Sequence, residues 1–252
     1  MPDHPDDGGP GSDPGPDPGP DADPWFGLAP DRARRIGASV EGRAIDAWCF
    51  GVARAASDGG GPPSLLVVGG VHGDEPSSVG ATAELGQRLA DGDVRAAGLV
   101  WLVPALNPDG LARGQKNSAR DVDLNRNFPA SSFSSRYQPG YFPGPHPLSE
   151  PETSALAGLI EQEKIAAVVA VHAPFACVNY DGPAAEWAGR VAAASGWPAR
   201  ADLGYPTPGS LGSWLGIDRR IPILTLELPP RPLASFRDTC RIALDEALRV
   251  VL

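Results

Sequence analysis

Lysine is almost missing from this chain. Only Lys116 and Lys164 occur among 252 residues, and arginine supplies the rest of the 21 basic side chains. Cysteine is scarce too. Cys49, Cys177 and Cys240 are odd in number, far apart and never arranged as C-x-x-C. That argues against a disulfide framework or a thiolate metal site, and it fits a reducing cytoplasm. No apolar run approaches the roughly 20 residues that would span a bilayer. The chain does not open on a basic segment followed by an apolar one, so no secretory signal is read there. Positive charge is not in excess either. The net charge is −10, and seven aspartates in residues 1–23 leave the remainder at −3. No basic face is indicated for nucleic acid, and no membrane partner is implied.

What is present begins with a biased segment. Residues 1–24 are almost entirely Pro, Gly and Asp. Such a stretch buries too little apolar surface to offset its ordering entropy, so an acidic disordered tail is expected. His4 falls within it. One folded domain is expected over 25–252, opening at Trp25.

Within that domain, apolar runs alternate with segments of helical spacing. Residues 38–55 read as a hairpin or short strand, and 59–63 (GGGPP) as a loop. Buried strands are expected at 65–69, 98–104, 165–171 and 221–228. Helices are expected at 76–90, from 151 to about 164, at 184–194 and at 234–252. Ser149 and Glu152 suggest a capping box for the second of these. The segment 105–110 has turn composition, 111–135 is polar and irregular, and 205–214 reads as a loop. Alternation of this kind predicts an α/β fold with a mixed, mostly parallel central sheet flanked by helices.

Polar residues stand where those strands end. The stretch 64–75 (SLLVVGGVHGDE) breaks at two glycines and delivers His72 and Glu75 to a loop. His172 follows the third strand, and Glu227 lies near the end of the fourth. In open α/β sheets, ligands bind outside the carboxyl ends of strands. Two imidazoles and a carboxylate suit a catalytic zinc ion with one open position. Glu227 is then the candidate proton carrier. Each residue also has a plainer reading. His-x-x-Glu alone is common and can be surface or helix-capping, and Glu227 can pair with Arg219, Arg220 or Arg231.

The order of motifs narrows this. VEGRAID (40–46), GVHGDEP (70–76), NPDGLA (107–112), DLNRNFP (123–129), PLSEPET (147–153), HAPFACV (172–178), GYPTPGS (204–210) and TLELP (225–229) together resemble the zinc carboxypeptidases of the carboxypeptidase A type. The finer likeness is to that family's bacterial murein-peptide amidases, and it covers residues from about 37 to the end. The resemblance implies one Zn2+ per chain held by His72, Glu75 and His172, with Glu227 as general base and then acid. It implies that Asn125 and Arg126 hold the substrate's terminal carboxylate, as a planar guanidinium suits. It places Tyr205, 22 residues before Glu227, at the tyrosine that closes over substrate, although a packed loop tyrosine reads nearly as well. For Arg126 the plainer reading is a surface ion pair.

One departure stands out. The family carries an arginine between NPDG and DLNRNF that stabilises the oxyanion, and here a gapless match puts Lys116 in its place. Lysine offers a positive charge but no bidentate fork. Arg113 and Arg120, in the same loop, are the alternatives. His146 reads as an exposed loop residue and Cys177 as packed near the site.

The implied activity is hydrolysis of the γ-D-glutamyl–diaminopimelate bond of murein tripeptide by a cytoplasmic metallopeptidase during peptidoglycan recycling. A deacylase of the succinylglutamate desuccinylase or aspartoacylase kind is the second reading, which turnover of acyl amino acids would reveal. A catalytically weak peptidoglycan-fragment binding protein is the third. Lys116 is its support, and an intact Glu227 speaks against it. The implied partner is a small peptide substrate. The sequence leaves the oligomeric state open, a homodimer included.

Overall fold

The computed structural model describes residues 33–51, 64–96 and 98–251. The acidic segment 1–24, Trp25 and the loop 59–63 lie outside the described residues. Among the described residues, eight strands form one sheet in the order β1-β2-β4-β3-β5-β8-β6-β7. Ala33–Ala38 (β1) and Ala44–Phe50 (β2) form an antiparallel hairpin, which begins five residues before the hairpin or short strand expected over 38–55, and β2 runs antiparallel to Leu99–Val103 (β4). Ser64–Val68 (β3) lies parallel to both β4 and Ala167–His172 (β5), and β5 lies parallel to Ile223–Glu227 (β8). These four central strands are the four apolar runs of the sequence. Cys177–Asp181 (β6) returns antiparallel against β8, and the short Ala199–Arg200 (β7) closes the edge. Neither β6 nor β7 is an unbroken apolar run: β6 is interrupted by Asn179 and ends on Asp181, and β7 is only two residues long.

The central strands are apolar on both faces because both faces are covered. On one face, Leu65, Val67, Val169 and Leu226 pack with Leu85, Val191 and Leu244. These last three come from Pro76–Asp91 (α1), Ala185–Ser195 (α4) and Arg237–Val251 (α5). On the other face, Leu66, Val68, Val168 and Ala170 pack with Leu156 and Ile160 of Pro151–Gln162 (α3), and with Phe128, Leu211 and Trp214. Alternation along β5 and β8 puts His172 and Glu227 on this second face.

Three local expectations are corrected. The segment from Pro108 is a helix, Pro108–Arg113 (α2), and not merely a turn; Asn107 caps it by accepting from the Gly110 N–H at 2.8 Å. The capping box is absent: Glu150, not Ser149, is the N-cap of α3, and no side chain caps it. Asn127 takes the Glu150 N–H at 3.2 Å, so a distant side chain satisfies a donor that a local cap would have served. Residues Ser213–Asp218 form a wide helical turn where a loop reaching 214 is expected.

Candidate metal centre

The loop after β3 carries His72 and Glu75. It is pressed against α2: a Cβ on Gly73 would overlap the carbonyl carbon of Gly110, so glycine is required there. Asn107 braces the same place. Its N–H donates to Gly70 O at 2.8 Å, and its Nδ2 donates to Lys116 O at 3.1 Å. The NPDG segment therefore ties the His72 loop to the Lys116 loop. Glu75 comes at the end of the loop, and Pro76 starts α1, where a missing N–H costs nothing.

His72, Glu75 and His172 come together, with one ligand atom from each lying within 4.8 Å of the others. His72 Nδ1 lies 2.9 Å from Glu75 Oε1, and His172 Nδ1 lies 3.1 Å from Glu75 Oε2. The two rings meet edge to face, centroids 4.9 Å apart. The other nitrogen of His72, Nε2, faces the fully buried Asp123 Oδ1 at 3.1 Å. A carboxylate behind a ligating imidazole fixes its tautomer and orientation, as metal sites require. Burial lowers the His72 pKa, but hydrogen bonds to Asp123 and Glu75 outweigh it and raise it to about 9. Burial raises the Glu75 pKa, but His172 and His72 outweigh it and pull it down to about 2. Two buried imidazoles facing an ionised carboxylate make a donor set that fits zinc.

Glu227 sits beside this cluster. β5 and β8 pair so that His172 and Glu227 are direct neighbours. Glu227 is 5% exposed, and its Oε2 has no hydrogen-bond partner. Burial pushes its carboxyl above the usual carboxylate range, against the lowering pull of His172. The arginines that offered it a plainer role are elsewhere; Arg219 pairs with Glu161.

A cavity of about 230 Å3 holds the rest of the expected site: Lys116, Asn125, Arg126 and Tyr205 all line it, along with Glu227 and the three cluster residues. Arg126 is 5% exposed, so it is no surface ion pair. Its Nη1 donates to Asn125 O at 2.6 Å. Asn125 Oδ1 accepts from the Leu211 N–H at 3.0 Å, which leaves its amide nitrogen for the cavity. Lys116 Nζ donates to Asp123 Oδ2 at 2.7 Å and to Gly140 O at 3.2 Å, and stands 3.7 Å over the Tyr141 ring. Arg113 and Arg120 are committed to Glu41 and to Glu150 with Ser149 O, and neither lines the cavity. Tyr205 is half-exposed, its ring 6.1 Å from that of Phe175. His146 is exposed and outside the cavity, and Cys177 is buried opposite Glu227. Sequence reasoning gave no role to Asp123, Tyr141 or Asp181. Asp123 opens the DLNRNFP segment and was there to be found, whereas Tyr141 and Asp181 carry no local signal.

Comparison with known proteins agrees with this geometry. Residues 29–186 match the family model for zinc carboxypeptidases. Murein peptide amidase A of Escherichia coli strain K12 is 38% identical over 179 residues, covering 66% of this chain and 72% of its own. The crystal structure of the murein-tripeptide amidase of Escherichia coli O157 superposes with a TM-score of 0.71 at 30% identity, covering 89% of this chain and 94% of the other. Carboxypeptidase A of Helicoverpa armigera shares the fold, with a TM-score of 0.71 at 18% identity over 86% of this chain and 68% of the other. With the matched segment carrying the converging His72, Glu75 and His172, the chain belongs to the zinc carboxypeptidase family and is a metallopeptidase-type hydrolase.

Proposed function

We propose that this enzyme is a zinc-dependent amidase that cleaves the γ-D-glutamyl–diaminopimelate bond of murein tripeptide in peptidoglycan recycling. The observation that carries this reading is one cavity in which His72, Glu75 and His172 converge beside Glu227, whose Oε2 has no hydrogen-bond partner. Similarity to the murein peptide amidases supports the choice of peptide. His72, Glu75 and His172 hold one zinc ion per chain. When bound, zinc lowers the pKa of a water to about 7 and polarises a carbonyl. Glu227 takes the proton of the attacking water and delivers it to the leaving amine. Its raised pKa suits a group that must both accept and return a proton. Arg126 and Asn125 take the terminal carboxylate, and Lys116 supplies a point charge to the oxyanion. Tyr205 closes over the bound peptide. The catalytic unit runs over 25–252 behind an acidic tail. No described helix is long and apolar enough to cross a membrane. The three separate cysteines, with no disulfide pattern, support a reaction in the cytoplasm.

The test is mass spectrometry of L-Ala-γ-D-Glu-meso-diaminopimelate incubated with the purified protein, beside a zinc-stripped control. Metal-dependent release of free diaminopimelate is expected. No release from protein holding one zinc per chain overturns the amidase reading and directs the search to acyl amino acids.

A further inference from the structure

Two cations of the cavity share one aromatic ring. Lys116 Nζ stands 3.7 Å over the centre of the Tyr141 ring, and the Arg126 guanidinium carbon lies 5.3 Å from the same centre. All three side chains line the cavity. Tyr141 is 40% exposed, so core packing does not account for its place.

The segment that carries the ring is fastened to the one that carries Arg126. The Asp123 N–H donates to Phe142 O at 2.8 Å, and Asn127 Nδ2 donates to Pro143 O at 2.7 Å. The Tyr141 N–H closes a turn on Gln138 O at 3.0 Å. Lys116 differs from these anchored groups. Its side chain is four flexible carbons ending in a compact charge with three donors. Asp123 Oδ2 takes one donor at 2.7 Å, and Gly140 O takes another at 3.2 Å. A third oxygen would use up the donor that remains. A ring face attracts the charge through its quadrupole and offers no oxygen lone pair to that donor.

We propose that Tyr141 is a positioning residue for Lys116: its ring face fixes the ammonium where the oxyanion develops, and without it the flexible side chain loses that place. This rests on the reading of Lys116 given above. Tyr141 acts through Lys116 and touches no reacting atom. The ring does the work and the hydroxyl does not. A charge held in advance of the reaction stabilises the transition state without reorganising, so the contribution falls on kcat.

The test is a double-mutant cycle on the full zinc-loaded chain, with L-Ala-γ-D-Glu-meso-diaminopimelate as substrate. Tyr141→Leu is expected to lower kcat by about 3- to 30-fold, the span of a cation–π contact, with KM changed by less than about threefold. Tyr141→Phe keeps the ring face and is expected to stay within about twofold of the wild type. In a Lys116→Met background, Tyr141→Leu is expected to change kcat by less than about twofold. An equal fall in both backgrounds overturns the proposal, as does a loss confined to KM or a Tyr141→Phe that falls as far as Tyr141→Leu.

The place of Lys116 is also read without turnover. The chain holds only Lys116 and Lys164, so isotope labelling at lysine Cε gives two NMR signals. The one missing from Lys116→Met belongs to Lys116. The ring current of residue 141 is expected to move it upfield in the wild type and in Tyr141→Phe but not in Tyr141→Leu, while an unshifted Lys164 signal reports an intact fold. A Lys116 signal that Tyr141→Leu leaves in place overturns the proposal whatever peptide is cut. If murein tripeptide resists while that signal moves, the murein substrate fails alone, and the cycle is read on hippuryl-lysine.

Discussion

Glu227 and Asp123 show how much depends on single carboxylates placed a few ångströms apart. Both are buried in the same site, but Asp123 faces His72 and Lys116 while one oxygen of Glu227 faces no partner. Their roles diverge accordingly. Glu227→Gln is expected to keep one zinc per chain and to lower kcat by roughly 100- to 10,000-fold, the share of a general base. Metal analysis beside steady-state kinetics checks this, and substantial residual hydrolysis would remove Glu227 from the mechanism. Asp123→Asn is expected to weaken zinc binding by about 10- to 100-fold through a misdirected His72. Competition against a chelator measures that shift, and an unchanged affinity would reduce Asp123 to a partner of Lys116.

Among the elements, α3 carries the most pH-sensitive group outside the site. Glu152 in its first turn is fully buried; its Oε1 takes the Val40 N–H at 3.2 Å, and its Oε2 has no partner. Burial pushes its pKa from 4.5 to about 7, with Glu150 and Asp109 adding like charge. The native state therefore binds this proton more tightly than the unfolded chain. The stability it contributes is full below pH 4.5, fades as pH rises and is lost above about 7. The loss amounts to about 3 kcal/mol. Urea midpoints taken between pH 5 and 8 should fall more steeply for the wild type than for Glu152→Gln, in which the raised His72 pKa still contributes a fall. Matching slopes in the two proteins would place the proton elsewhere. The loop after β3 makes a second element-level case. Gly73→Ala must push the His72 loop away from α2, so both stability and zinc content should drop together.

At the scale of the whole molecule, the cluster joins elements far apart in the chain: His72 and Glu75 follow β3, and His172 ends β5. A metal bound there links strands that meet only in the folded state. Zinc at 100 times its dissociation constant should add about 2.7 kcal/mol. Chelation should then lower Tm by roughly 5–10 °C, since each kcal/mol is worth about 2–4 °C at this size. A calorimetric scan with and without chelator decides it, and an unmoved Tm would mean that the cluster binds no metal.

The sequence by itself determined the four central strands, the covering helices and the polar residues at the strand ends. These are legible because a doubly covered strand must be apolar throughout, and chemistry at its carboxyl end interrupts that run abruptly. DLNRNFP and NPDG could be quoted as motifs, but only the folded chain shows what they hold: Asn107 binds one loop to another, and Asn127 satisfies the start of α3. Only tertiary structure showed that Lys116 lines the cavity while Arg113 and Arg120 do not, because three cations in one loop differ by where Asp123, Glu41 and Glu150 lie. It alone set β6 beside β8, since that proximity comes from antiparallel pairing of two strands some forty residues apart. Local pattern records what each segment must bury; which charges then face one another is settled when the sheet closes.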